Sequence, residues 1–159
     1  MLETFSTASN SSNIFAIFVV IVGLAILGYL SIKTLITSNL FQQGINFYQA
    51  KDFENAEIAL RKVIAINSTN DMVRLLLGDI LNEKGQITAA KALFCEVIDS
   101  SPKNPDAYLR LANILMQEQQ EAEAKANLVT AKELLQKQRQ PERAKKVSVL
   151  LDKMMAKNI

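Results

Sequence analysis

Side chains able to act as nucleophiles or metal ligands are few in this sequence. The 159 residues include one cysteine, Cys95, and no histidine. Neither a Ser-His or Cys-His catalytic pair nor a histidine metal site can therefore form. Cys95 lies in an apolar run with no base close to it in sequence. We predict no catalytic residue, no metal site and no cofactor.

A carboxylate-based enzyme remains a weaker alternative. Such an enzyme needs paired Asp or Glu side chains in a cleft. The pair Asp79 and Glu83 has a spacing of four residues, which is typical of neighbours on one helix face. This spacing favours a solvated helix surface over an acid–base pair.

Positive charge is concentrated towards the C-terminus. The whole chain has a formal net charge of +2, whereas residues 125–159 contain nine Lys or Arg and three Asp or Glu, a net of +6. A surface that binds single-stranded nucleic acid would also carry aromatic side chains for base stacking, and residues 125–159 contain none. We interpret the segment as a solvated basic helix and predict no nucleic-acid partner.

Residues 14–32 form an apolar segment without a charged residue. At about 1.5 Å per residue a helix of this length spans roughly 28 Å, close to the hydrocarbon core of a bilayer. The preceding residues 1–13 are polar and contain no Lys or Arg, and no small-residue cleavage pattern follows, so a cleaved signal peptide is disfavoured. We predict a disordered N-terminus over 1–13 and a single transmembrane helix over 14–33.

The flanks of this segment predict its orientation. The N-terminal flank has no basic residue, whereas Lys33 and Lys51 follow the segment. The positive-inside rule then places the C-terminal domain on the cytoplasmic side, or on the equivalent side of an organelle membrane. Gly23 and Gly28 are five residues apart and do not form a GxxxG motif, so the sequence gives no signal for self-association.

Beyond the apolar segment the sequence repeats with a period of 34. Three columns are in phase over three copies: Gly44, Gly78 and Ala112; Ala56, Ala90 and Ala124; and Leu60, Phe94 and Leu128. Small residues in the first two columns would let paired helices approach closely, and the large apolar residues of the third would fill the space between them. At least three stacked units are needed to bury such faces.

This period and these columns resemble the tetratricopeptide repeat (TPR) family, whose units each form helix A, a turn and helix B. The second copy has the helix-A sequence LLGDIL, with Leu77, Gly78 and Leu81 at the family positions. The resemblance implies an all-α fold: a transmembrane helix followed by a three-repeat superhelix over 37–137, with repeats 37–70, 71–104 and 105–137.

Two further helix signals complete the expected fold. Asn70 and Asn104 are placed to cap the helices that follow them. Pro141 can start a last helix over 141–157, with Ala144 and Leu151 on its apolar face. We predict a basic capping helix that covers the end of the stack, with a membrane-surface helix as the alternative.

The repeat also bears on Cys95. Its counterparts 34 residues away are Arg61 and Val129. A position that accepts Arg, Cys and Val is neither a strict core position nor a catalytic one. We predict a small, partly exposed side chain on helix B.

TPR proteins bind partners in the concave groove lined by the A helices, and the resemblance implies which residues face it here. A carboxylate clamp for chaperone C-termini is disfavoured, because its Lys and Asn positions are Phe41 and Ile45 in repeat 1, and only Arg110 matches. The groove is instead partly apolar. For repeat 1 an alternative is that Phe41 and Ile45 pack against the juxtamembrane helix. The predicted partner-binding residues are Phe41, Ile45, Tyr48, Leu75, Asp79, Asn82, Leu109, Asn113 and Met116.

The resulting functional hypothesis is a non-enzymatic, membrane-anchored adaptor or assembly factor whose partner is a protein, such as a subunit of a membrane complex. The layout, a short N-terminal span followed by about three repeats, is similar to that of photosystem I assembly factors of cyanobacteria and plastids. That similarity implies a thylakoid protein with its repeats on the stromal side. The alternative is a bacterial inner-membrane protein of secretion, pilus or cytochrome biogenesis.

Overall fold

The computed structural model describes residues 3–156, with side chains from residue 14 onward, and the regular secondary structure of this part of the chain is entirely α-helical. Two compact units are formed by residues 1–39 and 40–159. The seven helices are α1 (Glu3–Gln49), α2 (Phe53–Ile66), α3 (Asp71–Glu83), α4 (Ile87–Ser100), α5 (Pro105–Gln117), α6 (Glu121–Lys137) and α7 (Pro141–Ala156).

The N-terminal part of α1 is long and apolar enough to cross a membrane, with a mean hydropathy of 2.7 and none of that window buried within the protein. Two hydroxyl groups in the described part of this segment bond to the backbone of the helix itself. Ser31 Oγ donates to the Leu27 carbonyl and Thr34 Oγ1 to the Leu30 carbonyl, both at 2.8 Å. These hydroxyls therefore need no partner from water, which a hydrocarbon environment could not supply.

Two expectations for this region differ from the structure. We expected 1–13 to be disordered, but the helix begins at Glu3. We also expected a transmembrane helix over 14–33 separate from the first repeat, but one uninterrupted helix runs on to Gln49. The physical reason is that no proline stands before Ala50 to interrupt the hydrogen-bond ladder.

Two glycines of the predicted small-residue column lie directly against large side chains of the next helix. A methyl group built on Gly44 would lie 2.6 Å from Leu60 Cδ2, and one on Gly78 would lie 2.3 Å from Phe94 Cε1. Both distances are far below van der Waals contact, so each glycine makes room for the large side chain of its own repeat.

Large apolar side chains from successive helices form the core. Phe94, Leu60 and Leu128 are at most 2% exposed. One buried cluster extends from α2 to α6, and a second joins α5 and α6 to α7. The third predicted column is thus a core column.

Each A helix ends in the same way. The backbone N–H groups of Asp52, Gln86 and Gln120 donate to the carbonyls of Phe47, Leu81 and Leu115 at 2.8–2.9 Å, five residues back. This is the bonding of a Schellman motif, which needs a left-handed residue just before the donor. The left-handed residues are Lys51 (φ 58°), Gly85 (φ 74°) and Gln119 (φ 61°), again 34 residues apart.

The predicted caps and the last helix are present. The side chain of Asn70 accepts a hydrogen bond from the Val73 amide, and that of Asn104 accepts one from the Asp106 amide. Helix α7 begins at Pro141 and buries Ala144, Val147 and Leu151 against α5 and α6, as a capping helix should. Residue 157, the predicted last residue of this helix, lies outside the described residues.

Candidate partner-binding groove

A cavity of about 140 Å³ lies between helices α3, α4 and α5. Four predicted partner-binding residues line it together: Asp79 and Asn82 from α3, and Leu109 and Asn113 from α5. Two consecutive A helices thus bring half-buried and exposed side chains to one place. The remaining lining residues are Phe94, Arg110 and Ile114.

Asn82 has an unsatisfied buried group. Its Oδ1 atom is buried and has no hydrogen-bond partner among the described residues. Leaving such an acceptor unpaired costs about 1–3 kcal/mol. A bound ligand that donates a hydrogen bond here would remove this cost.

Asp79 and Arg110 form the polar edge of the cavity. Arg110 Nε donates to both carboxylate oxygens of Asp79, at 2.8 and 2.9 Å. Burial raises the pKa of Asp79 above its ordinary value, and the charge and hydrogen bond of Arg110 only partly oppose this. Further negative charge on Glu83 and Asp106 raises the Asp79 pKa as well.

The ion pair extends into a chain across three helices. Arg110 lies 3.9 Å from the Asp106 carboxylate, which also accepts a hydrogen bond from Arg143 of α7. Asp79, Arg110, Asp106 and Arg143 therefore alternate in sign from α3 to α7. This chain of charges was not predicted from the sequence. A signal for the Asp79–Arg110 pair was present, because the two opposite charges are 31 residues apart, which is the repeat length of 34 less about one helical turn.

The prediction for Leu75 is wrong. Its side chain is only 3% exposed and belongs to the larger core cluster, so it cannot meet a partner at the surface. The reason is that α3 lies between α2 and α5 and is covered on more than one face. Leu109 is also half-buried and packs against the second cluster, which makes it a less purely surface position than we expected.

The remaining predicted residues lie elsewhere. Phe41 and Tyr48 pack against the larger cluster, and the Tyr48 ring lies 5.9 Å from that of Phe53. The alternative in which Phe41 and Ile45 pack against a separate juxtamembrane helix is wrong, because both belong to α1 itself. Met116 is 37% exposed and lines a different pocket, of about 250 Å³, with Leu150, Lys153, Met154 and Glu121.

Cys95 is exposed on α4, as predicted. Partial burial raises the pKa of its thiol, and the charge of Asp99 raises it further while Lys91 opposes the shift. A raised pKa keeps the thiol protonated and weakly nucleophilic at neutral pH. Among the described residues, no three Cys, Asp or Glu side chains are grouped so as to hold a metal ion.

The helices after α1 form a stack of antiparallel helix pairs, which is the architecture of a helical repeat protein. Family models described as tetratricopeptide repeat match residues 38–68 and 81–147. The chain belongs to the tetratricopeptide repeat family.

Solved structures of other TPR proteins have the same fold. The type III secretion translocator chaperone SycD of Yersinia enterocolitica, in an alternative dimer, superposes with a TM-score of 0.71 at 25% identity, over 77% of this chain and 93% of that one. PcrH of Pseudomonas aeruginosa gives 0.70 at 18% identity, over 75% and 91%. The TPR2B domain of yeast Sti1, in a complex with pHsp70, gives 0.70 at 18%, over 77% and 98%. No curated protein matches the sequence.

Proposed function

We propose that this protein is a membrane-anchored adaptor that holds a segment of a partner protein in the groove between α3 and α5. The observation that carries the proposal is the cavity at which Asp79, Asn82, Leu109 and Asn113 meet. Its unsatisfied Asn82 oxygen and exposed Asn113 amide offer hydrogen bonds to a bound chain. Its apolar wall offers a place for a side chain.

The structural comparisons support a protein partner. One of the similar structures is SycD in complex with a peptide of the translocator YopD. Another is PcrH in complex with the chaperone-binding region of PopD. By analogy, the partner of this chain would present a peptide segment to the groove, and its folding or assembly would be assisted at the membrane.

The groove disfavours a carboxylate clamp. Arg110 is the residue that matches a clamp position, and it is engaged by Asp79 and Asp106. A peptide C-terminus would have to displace these carboxylates and would meet the negative charge of Asp79. The proposed ligand is therefore an internal segment rather than a free carboxyl end.

We further propose that α1 anchors the protein and that the repeats face the cytoplasmic or stromal side. Support for the anchor comes from the apolar side chains of the segment, such as Leu24 and Leu27, which are more than half exposed and unpacked within the protein. Support for the orientation comes from Lys33 and Lys51 alone. No catalytic role is proposed, since the Cys95 thiol has a raised pKa.

Two narrower functions follow from layout and likeness. The first, assistance in the assembly of photosystem I, is suggested by the layout of one span followed by three repeats. A role in bacterial secretion at the inner membrane is favoured by the likeness to the type III secretion translocator chaperone SycD. Deleting the gene separates them, because the first predicts loss of assembled photosystem I and the second predicts loss of a secreted or translocated protein.

Co-purification of wild type and two matched variants tests the adaptor function. Asn113→Arg places a long cation at the mouth of the cavity, on an exposed position that should tolerate it. Ile58→Arg adds the same cation on α2, where the side chain is 47% exposed. We expect Asn113→Arg to lose a partner that wild type and Ile58→Arg both retain after detergent extraction. Equal retention by both variants would contradict groove binding.

A further inference from the structure

The central cavity has room for one side chain of a bound segment. Its volume of about 140 Å³ is close to the roughly 150 Å³ of an engineered cavity that binds benzene. Phe94, Leu109 and Ile114 supply apolar walls, Asp79 and Asn82 supply oxygen atoms, and the Arg110 guanidinium in the same lining is already paired with Asp79. A ligand that fits this lining has an apolar stem and a polar end.

The oxygen atoms require a hydrogen-bond donor. Asn82 Oδ1 is a buried acceptor without a partner in the part of the chain that the structure describes. The carboxylate of Asp79 is paired with the Arg110 guanidinium, which also lies close to the Asp106 carboxylate. Burial raises the pKa of Asp79, and the charge and hydrogen bond of Arg110 only partly oppose this. A second donor or cation at this place would be favourable.

We propose that the cavity is a subsite for a lysine side chain of the partner segment; this rests on the proposed groove function. The four methylene groups of the lysine lie along Leu109 and Ile114, and the ammonium group donates to Asn82 Oδ1 and the Asp79 carboxylate. Lysine has three donors and no acceptor, which matches the acceptors in the cavity. An apolar side chain would leave Asn82 unsatisfied, and a carboxylate would be repelled by Asp79.

A positional-scanning library of 12-residue peptides tests the subsite on the full-length protein in detergent micelles. Each sub-library fixes one position as lysine or as norleucine, which has a similar apolar stem without the ammonium group. We expect one position at which lysine lowers Kd about tenfold relative to norleucine, the scale of a hydrogen bond to a charged group. Asn82→Leu should abolish this ratio, whereas Asn82→Asp should increase it.

The control variant is Asn127→Leu on α6, whose amide donates to the Glu123 carbonyl and does not line the cavity. It should leave the lysine ratio unchanged. Thermal melting checks that each variant is folded. If Asn82→Leu does not fold, the test rests on Asn82→Asp. A preference for lysine over norleucine in Asn82→Asp that is no higher than in wild type then overturns the subsite.

Failure of the subsite differs from failure of groove binding. Peptides that bind wild type but not Asn113→Arg, without any lysine preference, overturn the subsite and leave the groove function standing. A lysine preference that survives in Asn82→Leu overturns the subsite as well. Peptides that bind wild type and Asn113→Arg equally, or do not bind at all, overturn both.

Discussion

The absence of a side chain at Gly78 decides how closely α3 and α4 pack. The Phe94 ring occupies the space that a methyl group would need, with its Cε1 atom 2.3 Å from that position. Phe94 is 1% exposed as a result. The neighbouring residue, Cys95, points to the surface, so two adjacent positions on α4 have opposite environments.

Phe94→Ala should lower the free energy of unfolding by about 3–5 kcal/mol, because it removes a large buried side chain and leaves a cavity. Cys95→Ser should change it by less than about 0.5 kcal/mol, because the side chain is exposed. Urea unfolding of the detergent-solubilised protein, followed by circular dichroism, measures both. Similar losses in the two variants would show that the packing described for α4 is wrong.

Glu57 should make stability depend on pH. A hydrogen bond from Lys84 Nζ at 2.7 Å is the largest cause that holds the Glu57 pKa below its ordinary value of 4.5, and Arg61 adds to it. The group has the lower pKa in the folded state. Its contribution to stability is therefore present above the unfolded pKa and is lost as the pH falls through the folded pKa.

The prediction is that Glu57→Gln is less stable than wild type at about pH 7 and that this difference shrinks as the pH falls below 4.5 and through the lowered pKa of the folded state. Denaturant unfolding at a series of pH values measures the two curves. A difference that stays constant over this range would mean that Glu57 does not titrate differently on folding.

At the scale of helices, the turns repeat as faithfully as the core. Lys51 and Gln119 have positive φ values at the position that Gly85 occupies in the second repeat. A left-handed conformation costs a non-glycine residue about 1–2 kcal/mol, and glycine avoids most of this cost.

Gln119→Gly should therefore stabilise the protein by about 1 kcal/mol, and Gly85→Ala should destabilise it by a similar amount. Neither position packs against a core side chain, since Gln119 is exposed and nothing lies near a methyl group built on Gly85. Thermal unfolding measures the shifts. A Gln119→Gly variant that unfolds at a lower temperature than wild type would contradict the turn geometry.

Neighbouring repeats are also joined by ion pairs of alternating polarity. Lys84 contacts Glu54 and Glu57 at 2.7 Å, whereas Lys91 contacts Glu118 at 2.8 Å. Lys84 and Glu118 are 34 residues apart, and so are Glu57 and Lys91. Each of these two repeat positions therefore carries one charge at the first interface and the opposite charge at the second. This reversal disfavours stacking of the repeats in a wrong order.

The sequence predicts the helices well because small residues, apolar residues and caps recur every 34 positions. Asn70, Asn104 and Pro141 each start a helix where expected. The continuous α1 was missed because the predicted span follows the apolar segment, which ends at Lys33, whereas a lysine does not end a helix and the hydrogen-bond ladder continues to Gln49. Leu75 was misplaced because the family resemblance assigns a residue to a groove column but does not say how many neighbouring helices cover it.

At the scale of the whole molecule, the helix that is apolar enough to cross a membrane should determine where the protein is found. We expect the full chain to stay with membranes after an alkaline or high-salt wash, because the exposed apolar side chains of α1 favour hydrocarbon over water. Fractionation followed by immunoblotting measures this. Release by alkaline wash would contradict a spanning helix.

The partner site is less predictable than the fold, because it depends on contacts between repeats. The residues Asp79, Asn82, Leu109 and Asn113 were predicted one by one from family columns, and the cavity that unites them exists only in three dimensions. The chain from Asp79 to Arg143 likewise joins residues of different repeats. A repeat period locates such residues but does not show which of them are already paired.

Site-specific photo-crosslinking in the native membrane tests groove binding most directly. A photoreactive benzoylphenylalanine is placed at position 113 in the groove, at position 58 on α2, or at position 145 on the basic helix α7. All three positions are exposed, so none should disturb the core. We predict a specific protein adduct from position 113 and none from position 58 or 145. An adduct from position 145 that disappears at high salt, with none from position 113, would show electrostatic contact through α7 and would contradict groove binding.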